Sequence, residues 1–409
     1  MDRMRLIASL FALTMALVLT ACVESDSSDD DSGVINTDPV VEYGGTAVSD
    51  TGVSSTMPVL VFGGTDGYGL VWKEAPAVSS GMAPVIAVMP TERIKFARVS
   101  SDGDIISGPL AVTDKHFISH LDLAWRGDEF GLIFATDSKD ILFQRIGIDG
   151  DTLGSVQTVT TSIAQDPAPS IAYNPISSYW ASYTIAYGNS IDGNDEIYFA
   201  RIGPTGTTFD GPRRVSNSAG KSAFPDLVWS GTEFAVTWED QRHGNTEIYF
   251  ATADGYAYNI GSEVRISNDT SESVNPALGF DDTAFGIAWS DNGTTDGNLK
   301  LTVIEGSTLL FGESTLVSFS GASTRPDMEL TGDSGVGVWE SEVNGYSQLF
   351  LGIFDDLGSQ TQQLTSGSAD HLNPCLAIDY LNERGGVAYE DYSGTNSVVK
   401  VKIVGPQAP

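Results

Sequence analysis

The residues of this chain best suited to chemistry are carboxylates that recur behind an aromatic residue. Glu74 follows Trp72, Asp137 follows Phe134, and Glu239 with Asp240 follows Trp238. Asp291 follows Trp289, Glu340 follows Trp339, and Glu390 with Asp391 follows Tyr389. If each set ends an equivalent strand, these acids ring one face, focus negative potential there and could hold a cation. Ca²⁺ suits such a ring, because it takes oxygen ligands in flexible geometry; Asp240, Asp291 and Asp391 are its candidate ligands. Strand ends also favour Asp because it closes turns, and that reading competes with a metal site. No calcium loop of the EF-hand spacing is present.

The other candidates are fewer. The four histidines, His116, His120, His243 and His371, are expected on loops of the same face, but no spacing among them is a ligand motif. Arg242 is the arginine expected on that face. There is no Gly-x-Ser-x-Gly elbow, phosphate loop or zinc motif. Paired carboxylates are too numerous to single out a glycosidase pair. Cys375 sits in a strand-like run and reads as a small buried hydrophobe.

What must position these groups is a repeat. Each unit has four short runs rich in aromatic and β-branched residues, separated by Gly, Asn and Asp. A hydroxyl residue ends the fourth run at Ser49, Thr113, Thr160, Ser216, Ser267, Ser318 and Thr365. A proline opens the next unit at Pro58, Pro169, Pro225, Pro276, Pro326 and Pro374; the second unit has Leu121-Asp122 there. The second-run aromatic recurs at Trp72, Phe134, Trp238, Trp289, Trp339 and Tyr389, and in the third unit Thr184 falls near the expected place.

Units of about 50 residues with four strands each predict an all-β fold, a β-propeller of antiparallel blades. The last unit has three strands, and a fourth with the same marker stands at the other end, Gly45 to Ser49. The expectation is one domain, 41–404, of seven blades: 50–113, 114–160, 161–216, 217–267, 268–318, 319–365, and 366–404 with 41–49. The N-terminal strand completes the last blade and removes sheet edges. Residues 405–409 are a tail. In such a ring, ligands are expected at the channel mouth, on loops held by a rigid scaffold. A long insertion in the first unit, Lys73 to Arg93, is a candidate lid or partner contact on that face.

The unit Trp238-Glu239-Asp240-Gln241-Arg242-His243-Gly244, followed by Glu247-Ile248-Tyr249-Phe250, resembles repeats of bacterial secreted propellers of the sialidase-like and Tol types. The likeness is strongest over 217–267 and speaks to fold. Sialidase-like catalysis implies three arginines clamping a carboxylate and a Tyr/Glu nucleophile pair. Arg214 and Arg265 repeat on the fourth strand and read as structural, and the family's Asp-box is not convincingly present.

The N-terminus carries Arg3 and Arg5, then an apolar run from Leu6 to Leu19, a signal-peptide layout too short to cross a bilayer comfortably. It ends in Leu19-Thr20-Ala21-Cys22, which resembles the lipobox of bacterial lipoproteins. That resemblance implies cleavage after residue 21 and acylation of Cys22, giving a stable bilayer anchor. Val23, rather than Asp, implies the outer membrane, facing the periplasm or the cell surface. Residues 22–40 are expected to be a disordered acidic tether. Acids just after a lipidated cysteine also resemble surface-export signals.

The net charge is -33, from 54 acids against 21 bases. This argues against nucleic acid and anionic membrane surfaces as partners. The expected function is a non-catalytic binding or scaffold propeller of the cell envelope, with an envelope protein or glycan as partner. The alternative is a carbohydrate-active hydrolase or lyase sited at the channel mouth.

Overall fold

The computed structural model describes residues 41–405 except 77–91, 116, 176–181, 269, 293–297, 306–307, 310–313, 319–322, 332–333, 356–357 and 383. The signal, Cys22, the tether, His116 and most of the Lys73–Arg93 insertion lie outside the described residues, as does nearly all of the tail.

Seven antiparallel sheets follow one another along the chain. Their inner strands are Val53–Phe62, Ile118–Trp125, Ser170–Asn174, Ser222–Trp229, Ser273–Phe280, Ser323–Thr331 and His371–Asp379. Each is followed outward by its second, third and fourth strands; in blade five the outermost position is split between Thr308–Leu309 and Ser314–Ser318. The expected seven-bladed propeller is what the chain forms.

The last blade closes as expected. Val41–Ala47 pairs antiparallel with Val398–Gly405, with Thr46 opposite Val401 and a bulge between Tyr43 and Gly45. The hydroxyl marker explains itself here. Ser49 Oγ accepts the Val399 amide at 2.8 Å, just as Ser216 accepts that of Ile197, Ser267 that of Ile248 and Thr365 that of Leu349. A side chain thus takes over the ladder in these four blades where the fourth strand peels away to the next blade; in the first two blades the fourth strand instead runs on past Thr113 and Thr160, to Lys115 and Thr161.

The hydrophobic core lies between blades, not within them. One cluster joins Val48, Ala388 and Val401 of the last blade to Leu60, Tyr68 and Trp72 of the first. Others join blades one and two, and so on round the ring. Trp72, Trp238, Trp289 and Trp339 are completely buried. Glycine lets adjacent sheets approach: a Cβ at Gly131 would stand 2.5 Å from the Tyr183 ring, and one at Gly69 would stand 2.4 Å from Phe130.

The third unit corrects the repeat alignment. Tyr187, not Thr184, takes the place of the second-strand aromatic; it pairs with Tyr198 as Trp238 pairs with Tyr249. The connection from Asn174 to Ser182 is longer than the tight turns elsewhere and displaces the spacing.

Closure predicts a graded outcome. Ser49→Ala should cost about 1 kcal/mol, the usual worth of one buried hydrogen bond. Deleting residues 41–49 should leave Val398–Gly405 as an open edge and drive self-association, read by light scattering. A monodisperse deletion variant with an unchanged melting temperature would contradict the closure.

Candidate binding site at the channel mouth

The mouth is built by a repeated irregularity. Inner strands lose register at Thr56/Val59, Ile118/His120, Ala223/Asp226, Val274/Ala277, Thr324/Asp327 and Leu372/Cys375. At six places the residue before the repeated proline has a left-handed backbone: Met57, Ala168, Phe224, Asn275, Arg325 and Asn373, with φ between 32° and 57°. Proline suits such a bulge because it brings no amide that needs a ladder partner. A bulge re-aims its side chain, and non-glycine residues at positive φ store strain at such sites. The result is an open cavity of about 350 Å³ shared by all seven blades, with Phe224, Asn275, Arg325 and Asn373 on its walls. In the second blade, which lacks the proline, His120 and Leu121 take this place.

Below the prolines, the next residue reads Val59, Asp122, Ser170, Asp226, Ala277, Asp327 and Cys375 round the ring. Blades two, four and six carry the acid. Each carboxylate accepts an amide from the next blade's inner strand: Asp122 from Ile171 at 2.9 Å, Asp226 from Leu278 at 2.8 Å, Asp327 from Leu376 at 2.7 Å. Each also accepts the amide that follows it in its own strand. Ser170 donates to Asp122 and accepts from Leu227, so the stitch continues through blade three. Burial pushes Asp122 and Asp327 up to about 7 and Asp226 up to about 6; the Asp226 charge raises Asp122 further, and Asp226 and Asp122 raise Asp327. Glu329, further along the same channel, is raised by burial and by Asp327 and Asp226 to about 8. These acids were missed in the sequence, although their alternation behind the repeated proline was there to be found. Cys375 stands in this same ring, half-buried, with burial pushing its thiol up.

The acids that the sequence did single out have other work. Glu340 accepts the Asn373 amide of the following blade at 2.7 Å and faces Arg325 at 3.1 Å. Glu239 and Glu390 likewise hold Asn275 and Met57. They are struts under the bulges. The next residue along turns inward and pairs within its blade. Glu74 meets the Trp72 indole and Lys95, Asp291 meets Lys300, and Asp391 meets Lys400 at 2.5 Å. Asp240 is fully buried and held by Arg242, Trp238, Ser218 and Ser222. Arg242 also pairs with Glu263 and lies 4.1 Å from the Tyr249 ring centre. His243 hydrogen-bonds the Tyr249 hydroxyl at 2.7 Å. Asp137 is exposed, just past the end of its strand, where Thr136 takes the inward place. His120 and His371 stand in inner strands rather than on loops. Arg214 and Arg265 pair with the buried Glu196 and Glu247.

The candidate acids therefore do not converge. Asp240, Asp291 and Asp391 lie on three blades, each matched by a base of its own sheet. Among the described residues no group of three or more His, Cys, Asp or Glu side chains is arranged to hold a metal. Arg325 is the one arginine lining the mouth among the described residues, so a three-arginine clamp is not assembled there.

The buried acids set the sign of the pH response. Asp122, Asp226, Asp327, Glu239 and Glu329 hold protons in the native state at pH values where the unfolded chain has lost them. Stability therefore rises as pH falls through these values towards about 5. His120 and His371, kept neutral by burial, oppose this below their ordinary range, but they are two groups against five. Asp240 and Asp391, lowered by Arg242 and Lys400, reverse the trend only in stronger acid. The melting temperature should rise by roughly 5 °C from pH 8 to pH 5.5, and Asp226→Asn should flatten that slope. A melting temperature that falls over the interval would refute the assignment.

No family model matches the sequence, and no curated protein matches it. Among solved structures, a protein of unknown function from Dyadobacter fermentans is similar over 90% of this chain and 99% of its own, at 8% identity and a TM-score of 0.53. A subtype N11 neuraminidase-like protein of A/flat-faced bat/Peru (H18N11) aligns over 89% of this chain and 91% of its own, at 8% identity and a TM-score of 0.48. An oligogalacturonate lyase in complex with manganese covers 88% and 99%, at 8% identity and a TM-score of 0.49. At such identities the likeness is one of fold alone: the chain is an all-β, seven-bladed propeller.

Proposed function

We propose that this is a non-catalytic binding propeller of the bacterial cell envelope, anchored in the outer membrane through acylated Cys22, which takes its ligand at the channel mouth. One observation carries the reading: an open cavity at the channel mouth lined by residues of all seven inner-strand entries, most of them beside a bulge. The wall is mixed, with the Phe224 ring, the amides of Asn275 and Asn373, and the Arg325 guanidinium beside proline rings. Such a surface suits a glycan or a protein segment rather than a bare ion. The acids beneath it are occupied by backbone amides of their own and the next blade, which ties their oxygens to the scaffold. The lipobox-like Leu19-Thr20-Ala21-Cys22 supports the anchor, and the charge of -33 argues against nucleic acid.

The second reading, a carbohydrate-active hydrolase or lyase, draws on Asp122 and Asp226, raised carboxylates from different blades in one cavity. Turnover of a saccharide panel that is abolished by Asp226→Asn, with the fold intact, would favour it.

Mass spectrometry of the mature N-terminus should find Cys22 acylated as the first residue; an unmodified or uncleaved terminus would remove the anchor. Intact lipoprotein purified from envelopes should retain a partner that Phe224→Ala with Arg325→Ala loses, and retention by the double variant would sink the mouth as the binding surface. Because Asp240, Asp291 and Asp391 already have basic partners, adding millimolar Ca²⁺ should leave the melting temperature within about 1 °C of its metal-free value. A larger rise would restore the calcium reading.

A further inference from the structure

A second cavity, of about 620 Å³, is on the opposite face, away from the mouth. It lies where turns of blades seven, one and two meet, and its volume falls within the range of small-molecule sites, roughly 300–1,000 Å³. Two of the chain's few arginines line it, Arg98 from blade one and Arg384 from blade seven.

The two are held differently. Arg98 is 2% exposed. Its Nε donates to the Tyr68 carbonyl at 3.2 Å, and its guanidinium lies 5.5 Å from the Phe130 ring centre. Its direction is therefore set before any ligand arrives, which lowers the entropic cost of binding. Arg384 meets Asp102 at 3.4 Å, and that carboxylate is 72% exposed. An ion pair so open to water is weak, and another carboxylate can take its place. The Tyr68 hydroxyl donates to the Arg384 carbonyl, so the two arginines share one support.

The floor between the blades is already stitched. Asp379 accepts from Ser101 and from Asn382, and Asn382 also reaches Ser101 at 3.2 Å. Asp149 stands on the wall with Asp102, and the exposed Ile106 and Ile148 supply an apolar edge. Two guanidinium groups, two carboxylates, an amide and hydroxyls on one concave wall can match a ligand that carries both one negative charge and several hydroxyls. The apolar edge suits the C–H face of a sugar ring. The carboxylates weaken the case for a highly charged anion and favour a single carboxylate among hydroxyls.

We propose that this cavity binds a small polyhydroxylated carboxylate, a sugar acid, whose carboxylate displaces Asp102 from Arg384 and whose hydroxyls meet Asp149, Asn382 and the serines. The inference is independent of the channel mouth.

Calorimetry on the full-length chain in detergent, with sodium glucuronate, glucose and sodium acetate as probes, tests it. Glucuronate should bind saturably, at least tenfold more tightly than glucose or acetate. Arg384→Gln should weaken glucuronate binding tenfold or more. Asp102→Asn, at an exposed position, should tighten it about threefold by releasing Arg384. The pair of opposite effects is one that mere damage to the fold cannot produce, and Phe224→Ala at the mouth should change neither. No saturable glucuronate binding, equal binding of glucose, or Asp102→Asn that weakens affinity would each overturn the proposal.

Discussion

The ring depends on one pairing, Val41–Ala47 against Val398–Gly405. No blade owns a core. Each hydrophobic cluster belongs to two neighbouring sheets, so every sheet needs a partner on both sides. Were the first and last blades not held together, Leu60, Tyr68 and Val401 would lose their shared cluster. Ser49 shows how tightly the closing strand is built in. It repeats in the last blade the hydroxyl-to-amide contact that Ser216 and Ser267 make in theirs.

The second constraint is charge. A chain of -33 must place its acids where repulsion is offset. Three arrangements coexist. Inner-strand aspartates bind amides of the next blade and stay partly protonated through burial. Strand-two glutamates support the bulges by taking their amides. Their neighbours pair with Lys95, Arg242, Lys300 or Lys400 inside one sheet. The first two arrangements use carboxylates as blade-to-blade fasteners. The mouth is left to Phe224, Arg325 and the asparagines, and its character is less acidic than the composition alone suggests.

Much of the architecture was legible because a repeat imposes the same chemistry several times. The hydroxyl, the proline and the aromatic each mark a position whose physical task recurs: taking over a ladder, filling a bulge, packing between sheets. Where a loop changes length the spacing fails: Thr184 falls near a place that Tyr187 holds. The acids behind the aromatics were legible as a ring and misleading as a site. Spacing cannot tell a free carboxylate from one bound to Lys400 or to the Asn373 amide.

The sequence by itself determined the number of blades and the manner of closure, because those follow from local patterns repeated along the chain. Tertiary structure alone decided which acids are spent on fastening blades, which side chains the bulges turn into the mouth, and that Arg98 and Arg384 share a cavity. The physical reason is that a ring brings together residues from its two ends and from every second sheet. Hydrogen-bond partners at such distances along the chain leave no periodic trace to read.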